Sequence, residues 1–248
     1  MSSNKPNIIL IMTDQQRADT ISALGNSHMV TPNIDKLVNK GVAFTQAFSC
    51  GATCIASRAA MFTGMYAHNT GVYSFDKWSH NRSWVHDLRD NGYHCVNIGK
   101  MHVHPRDDEL GFNERVIVEN PTSLPLRHGG VDDDWGRYLA IHGEDRPGYR
   151  HMTDDNWRDK YQAVSWDKEK KLHPDEFIGD SAIAWASTHQ QQKPVFLQVG
   201  FTGPHEPYHA LPEDVELYSE TDIPEPIFKE GELEEKPPQH KKHQHFFD

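Results

Sequence analysis

The run Asn7-Ile8-Ile9-Leu10-Ile11-Met12, broken at once by Thr13-Asp14-Gln15-Gln16-Arg17, decides the fold class. The apolar residues are continuous, not alternating, and the run is short. That pattern predicts a strand buried on both faces, as in a parallel sheet. It returns at residues 194–201, which end in Thr202-Gly203-Pro204-His205-Glu206-Pro207. Shorter strand-like segments fall at 42–48 and 94–98, the latter closed by Gly99-Lys100-Met101-His102. Helices are expected between them. Thr31 and Pro32 suit the N-cap and first position of one, with Ile34, Leu37 and Val38 on a shared face and Gly41 as its stop. Others are expected near 57–66, 82–91 and 174–190, the last with Phe177, Ile178, Ala182 and Trp185 inward. Strand alternating with helix predicts an α/β fold, a mainly parallel sheet flanked by helices. In such folds, sites form beyond the carboxyl ends of strands. Asp14, the pair Lys100 and His102, and His205 each lie just past a predicted strand.

A second stretch carries chemistry. Cys54-Ile55-Ala56-Ser57-Arg58 continues through Ala59-Ala60-Met61-Phe62 to Thr63-Gly64. It sets a sulfur nucleophile, or a group made from it, beside a permanent cation at the start of a helix. Free N–H groups and the positive end of the helix dipole favour an anion there. The attacked group is therefore expected to be negatively charged.

Composition narrows the partners. The 248 residues carry a net charge of −11, which removes the electrostatic footprint of a nucleic-acid binder and disfavours anionic membranes. A polyanionic substrate would need a local cationic pocket, which Arg58 and Lys100 can supply. No apolar run approaches the ~18 residues of a membrane span. The residues before Asn7 show no secretory leader, and three cysteines make no disulfide framework, so a cytoplasmic, reducing setting is expected. Residues 1–228 read as one catalytic domain with an elaborated insertion at about 119–172, and 229–248 as a polar linker or lid.

These residues together resemble the sulfatases of the alkaline-phosphatase-like superfamily. Cys54, Ala56, Arg58, Thr63 and Gly64 fit that family's signature. Asn7 to Asp14 is similar to its first strand and metal-binding acid. Thr31 to Thr45, Gly64 to Gly71, Gly99-Lys100-Met101-His102 and Pro204-His205-Glu206-Pro207 are similar to flanking family segments, in order. The resemblance implies that a maturation enzyme oxidises Cys54 to formylglycine, whose hydrate attacks the sulfur of a sulfate monoester. Arg58 would hold the diol and offset charge, Lys100 would bind sulfate, His102 would contact the diol or assist its breakdown, and His205 would protonate the leaving oxygen or orient the sulfate. Asp14, Gln15 and the matured Cys54 would ligate a divalent metal, Ca²⁺ first, with Mg²⁺ or Mn²⁺ as alternatives. A sugar or aryl sulfate is the implied substrate.

Departures from the pattern define the alternatives. Gln15 stands where many sulfatases carry a second acid, which keeps a phosphonate monoester or phosphodiester hydrolase in view. The family's later metal-ligand segment finds no match before Asp248. The chain therefore reads as the amino-terminal part of the family fold, with its carboxyl-terminal part missing and its metal site incomplete alone. Arg127, Trp135, Arg137, Tyr138 and Trp157 in the insertion are expected to line the substrate pocket. Cys50 and Cys95 are read as small core residues, and Asp132-Asp133-Asp134 as a solvated loop. His102 and His104 form a His-x-His pair without an acid or cysteine partner at zinc spacing.

Overall fold

A computed structural model describes residues 5–74, 76–78, 82–119, 133–147, 163–189, 193–218, 223–225 and 229–238. Along the chain these form β1 (Ile8–Met12), α1 (Pro32–Lys40), α2 (Cys54–Thr63), α3 (Ala67–Thr70), α4 (Trp84–Asp90), β2 (His94–Gly99), β3 (Glu114–Ile117), α5 (Asp134–Ile141), β4 (Ala163–Ser165), α6 (Pro174–Thr188), β5 (Val195–Gly200), β6 (Tyr208–Ala210) and α7 (Pro212–Val215). Four strands make one sheet in the order β1-β5-β2-β3, every pair parallel. β4 and β6 pair separately, also in parallel. The carboxyl ends of the four main strands, Met12, Gly200, Gly99 and Ile117, therefore share one edge.

Each face of the sheet has its own core. Leu10, Cys95 and Phe196 point to one side and pack with Ile55, Ala59, Phe62, Val85 and Phe112, under α2 and α4. Val96, Ile98, Leu197 and Val199 point to the other and pack with Ile178 and Trp185 of α6 and with Trp135 and Leu139 of α5. β5 and most of β2 are buried throughout, which explains their continuous apolar sequence.

The helix punctuation follows local chemistry. Ser83 caps α4, its side chain accepting from the Val85 N–H while His86 Nδ1 accepts from the Ser83 N–H at 3.1 Å. Gly64 ends α2 at φ 70°, a conformation that favours glycine. α2 begins at Cys54 itself, three residues before the expected start.

Several expectations are corrected. β1 is an edge strand. Leu10 faces the first core, but Ile9 and Ile11 are 64% and 57% exposed, because no helix among the described residues covers that part of the opposite face. Residues 42–48 form no strand, since no described neighbour takes up their backbone hydrogen bonds; Phe44 is 84% exposed. Cys50 is exposed, whereas Cys95 is buried in the core as expected. Asp133 is not solvated: it is buried, caps α5 by accepting from the Gly136 N–H, and pairs with Arg146. Asp132 lies outside the described residues. β3, short and charged at its start, was not expected. Among the described residues no helix is long and apolar enough to cross a membrane.

Candidate active site

The common carboxyl edge of the sheet gathers the residues that the sequence scatters. Asp14 follows β1, Lys100 and His102 follow β2, and His205 follows β5. The β2 and β5 ends approach so closely that a Cβ on Gly99 would stand 2.1 Å from the Gly200 carbonyl oxygen. Only glycine permits that approach. It lets the Lys100 N–H donate to the Gly200 carbonyl at 2.7 Å and brings the Lys100 chain beside the end of β1.

There Lys100, fully buried, forms an ion pair with Asp14. Arg58, also buried, contributes twice. Its Nη1 donates to the Lys100 carbonyl at 2.7 Å, and its Nη2 lies 3.5 Å from Asp14 Oδ2. Burial by itself would push the Asp14 carboxyl up. The nearby charges of Lys100, Arg58 and His205 outweigh it and hold Asp14 below the usual carboxylate range. Two cations against one carboxylate leave the cluster net positive, a setting for an oxyanion. Cys54, half-buried, sits one helical turn before Arg58 on α2 and so shares its face. Gly51 permits the preceding loop to press on this turn; a Cβ there would meet the Ser57 nitrogen at 2.6 Å.

His205 Nδ1 lies 2.6 Å from the Glu206 carbonyl oxygen. A carbonyl only accepts, so Nδ1 holds the proton in this contact and Nε2 is the position that exchanges one. His102 adopts φ 51°, and its N–H donates to Glu119 Oε1 at 3.0 Å. Glu119 is half-buried, with its carboxyl end enclosed. Burial pushes that carboxyl up, against the opposing pull of Lys100 and Arg58.

Sequence reasoning missed Glu119 and also Asp175, whose carboxylate accepts from the backbone of Thr202 and Gly203. Neither belongs to a recognised motif. Their signal is only that each is an acid just beyond β3 or just inside α6, close in space to a strand end. Gln15, in the left-handed region at φ 59°, lines a cavity of about 720 Å³ together with His205, Met29, Ile34, Phe201 and Tyr208.

Of the insertion residues named above, the described Trp135, Arg137 and Tyr138 do not line that cavity. Trp135 is buried in the second core, donates from Nε1 to the Leu172 carbonyl at 3.0 Å, and packs under Arg146. Tyr138 stacks on Phe177, and Arg137 pairs with Asp134. Trp135 and Tyr138 serve packing. Arg127 and Trp157 lie outside the described residues.

The described residues do not by themselves make a divalent-cation site. No group of three or more His, Cys, Asp or Glu side chains among them is placed to hold a metal. The Asp14 carboxylate is already engaged by two cations, and Gln15 adds only a neutral oxygen, far short of the roughly 6–8 oxygens Ca²⁺ takes.

The parallel sheet and its flanking helices have the alkaline-phosphatase-like fold, with the cationic cluster and the Cys54 helix at its carboxyl edge. The phosphonate monoester hydrolase of Agrobacterium radiobacter superposes with a TM-score of 0.64 at 23% identity, covering 89% of this chain and 45% of that one. A structure solved in complex with its substrate D-glucosamine-2-N,6-O-disulfate gives 0.65 at 22%, covering 90% of this chain and 40% of that one. The chain belongs to the sulfatase family, whose model matches residues 6–229. It is 30% identical over 235 residues to an arylsulfatase of Clostridium perfringens, covering 90% of this chain and 48% of the relative. It is 24% identical to the N-acetylglucosamine-6-O-sulfatase of Bacteroides thetaiotaomicron, covering 90% and 35%. The chain thus spans about half the length, or less, of these curated relatives.

Proposed function

We propose that this chain carries the ester-cleaving centre of a sulfatase, with Cys54 as the precursor of its nucleophile and a saccharide or aryl sulfate monoester as substrate. The observation that carries this reading is the convergence of Lys100 and Arg58 on Asp14, one helical turn from Cys54. A maturation enzyme would oxidise the Cys54 side chain to an aldehyde, which supplies a hydroxyl nucleophile when hydrated. Lys100 would bind the sulfate, and Arg58 would hold the diol and offset charge, each kept in place by its buried contacts. His205 holds the leaving-group proton at Nε2, oriented by the Nδ1 contact with Glu206. His102, two residues beyond Lys100, is the candidate to take a proton at the nucleophile. Asp14, Gln15 and the matured Cys54 would be ligands of a divalent cation, Ca²⁺ first, with Mg²⁺ or Mn²⁺ as alternatives, and further oxygen donors would be needed to complete its shell.

The phosphonate monoester hydrolases among the structural neighbours, together with Gln15, support a second reading, in which the same centre cleaves phosphonate monoesters. A third, motivated by the half-length match, is that the chain needs further polypeptide to turn over any ester.

Mass analysis of the peptide around Cys54 tests the first reading. Maturation lowers its mass by about 18 Da, the loss of sulfur and two hydrogens for one oxygen. Turnover by protein carrying only the unmodified thiol would refute it. Parallel rates on 4-nitrophenyl sulfate and a 4-nitrophenyl phosphonate monoester separate the first two readings. No turnover of either by matured protein selects the third.

A further inference from the structure

The loop that carries His205 is held from behind. Asp175 lies in the first turn of α6, whose N-cap His173 accepts the Asp175 N–H through Nδ1 at 3.2 Å. Acids in a first helical turn ordinarily serve the free N–H groups of their own helix. The hydrogen bonds Asp175 accepts among the described residues come instead from another segment. Oδ1 takes the Thr202 N–H at 2.8 Å and the Thr202 hydroxyl at 3.0 Å, and Oδ2 takes the Gly203 N–H at 3.1 Å. The approach is close enough that a Cβ on Gly203 would lie 2.4 Å from Oδ2 and would push the carboxylate out of this grip.

What the clamp holds is the link between two parts of the site. The Gly203 carbonyl accepts the Asp14 N–H at 3.0 Å, and the Thr202 carbonyl accepts the His205 N–H at 3.2 Å. The two residues that Asp175 grips by their N–H groups, Thr202 and Gly203, therefore hold, through their own carbonyls, the backbones of His205 and Asp14. We propose that Asp175 is a positioning residue that sets the β5 loop, and through it both His205 and Asp14, for ester cleavage. The proposal rests on the reading above, in which His205 and Asp14 act at the reacting ester.

A misplacement of the order of 1 Å can cost about 100-fold in rate, so the effect belongs in kcat. The test compares the full chain with its Asp175→Ala, Asp175→Asn and His205→Ala variants. In Asp175→Ala, amide exchange at Thr202, Gly203 and Asp14 is expected to accelerate by about tenfold or more, while Val195–Gly200 of β5 keeps its protection. With 4-nitrophenyl sulfate, kcat is expected to fall by about 100-fold and KM to change by less than about threefold. Asp175→Asn keeps one carbonyl-type acceptor and is expected to recover part of kcat, which a merely structural acid would not show. It also takes the place of Asp175→Ala if that variant does not fold. Unchanged exchange at Asp14 and Gly203, or kcat within twofold of the parent, overturns the clamp. Full turnover by His205→Ala would instead sink the reading of the site, with the exchange result still deciding whether Asp175 holds the loop. Where the parent chain shows no turnover, exchange alone decides.

Discussion

At the scale of single residues, the site is a contest between burial and charge. Lys100 is enclosed completely, and its stability depends on Asp14. Removing one member of a buried pair leaves the other uncompensated, at a cost of about 3–5 kcal/mol. Lys100→Met is expected to destabilise the chain by that order in urea titration, and Asp14→Asn in the same background to recover part of it. Additive losses would mean that the two side chains are not coupled. The pH dependence has a definite sign. Asp14 is held below the ordinary carboxylate range, so its contribution is complete above the unfolded value and is lost as pH falls through the lowered one. Asp14→Asn should flatten that acid limb of the melting curve. Glu119 behaves oppositely. Its carboxyl is pushed up, so the folded state binds the proton more tightly than the unfolded state. Ionising it costs stability as pH rises from the ordinary carboxylate value past the raised one. Glu119→Gln removes that ionisation and keeps an oxygen for the His102 N–H. Its melting temperature should match the parent near about pH 4 and exceed it near about pH 8. An equal difference at both pH values would refute the assignment.

At the scale of elements, the central strands carry a polar pair where the pattern reads apolar. Gln198 of β5 lies opposite Asn97 of β2 and Leu10 of β1, fully buried, and neither atom of its amide finds a hydrogen-bond partner among the described residues. A buried amide without partners costs about 1–3 kcal/mol. Gln198→Met, close in volume, should raise stability by about 1 kcal/mol in chemical denaturation. A comparable loss would show that the amide is satisfied by bound water in solution. Such exceptions mark what the sequence could and could not disclose. β2, β5, α1, α4 and α6 were legible because apolar runs, caps and glycines act locally. The positions of Asp14, Lys100 and His205 at strand ends were legible for the same reason. Residues 42–48 were not, because a strand exists only with a neighbour to bond to, and strand propensity says nothing of neighbours. Trp135 and Tyr138 read as pocket residues because aromatic and charged side chains look alike in a pocket and in a core; their packing partners on α6 and around Leu172 lie far along the chain. Glu119 and Asp175 were invisible because each acts on a backbone N–H, and any backbone offers one.

At the scale of the whole molecule, the apolar surface at the β1 end of the sheet is open. β1 forms one edge of the main sheet, and the described residues place no strand beyond it. On the face that elsewhere packs against α6, Ile9 and Ile11 stand out into solvent, and Val42, Phe44 and Phe48 are more than four-fifths exposed. An apolar edge strand of this kind is a template for pairing with another chain. The net charge of −11 opposes association at long range, but screening limits that repulsion to about 8 Å at physiological ionic strength. The chain by itself is therefore expected to self-associate, more strongly as salt rises. Ile9→Lys with Ile11→Lys places charge on positions that are already solvated, so the fold should tolerate it with little loss of melting temperature. Sedimentation velocity across a concentration series should show the parent moving to larger species and the double variant remaining monomeric. If both remained monomeric at high salt, β1 would not be a sticky edge. If both associated equally, the contact would lie elsewhere, with the exposed aromatics at Phe44 and Phe48 the next residues to replace.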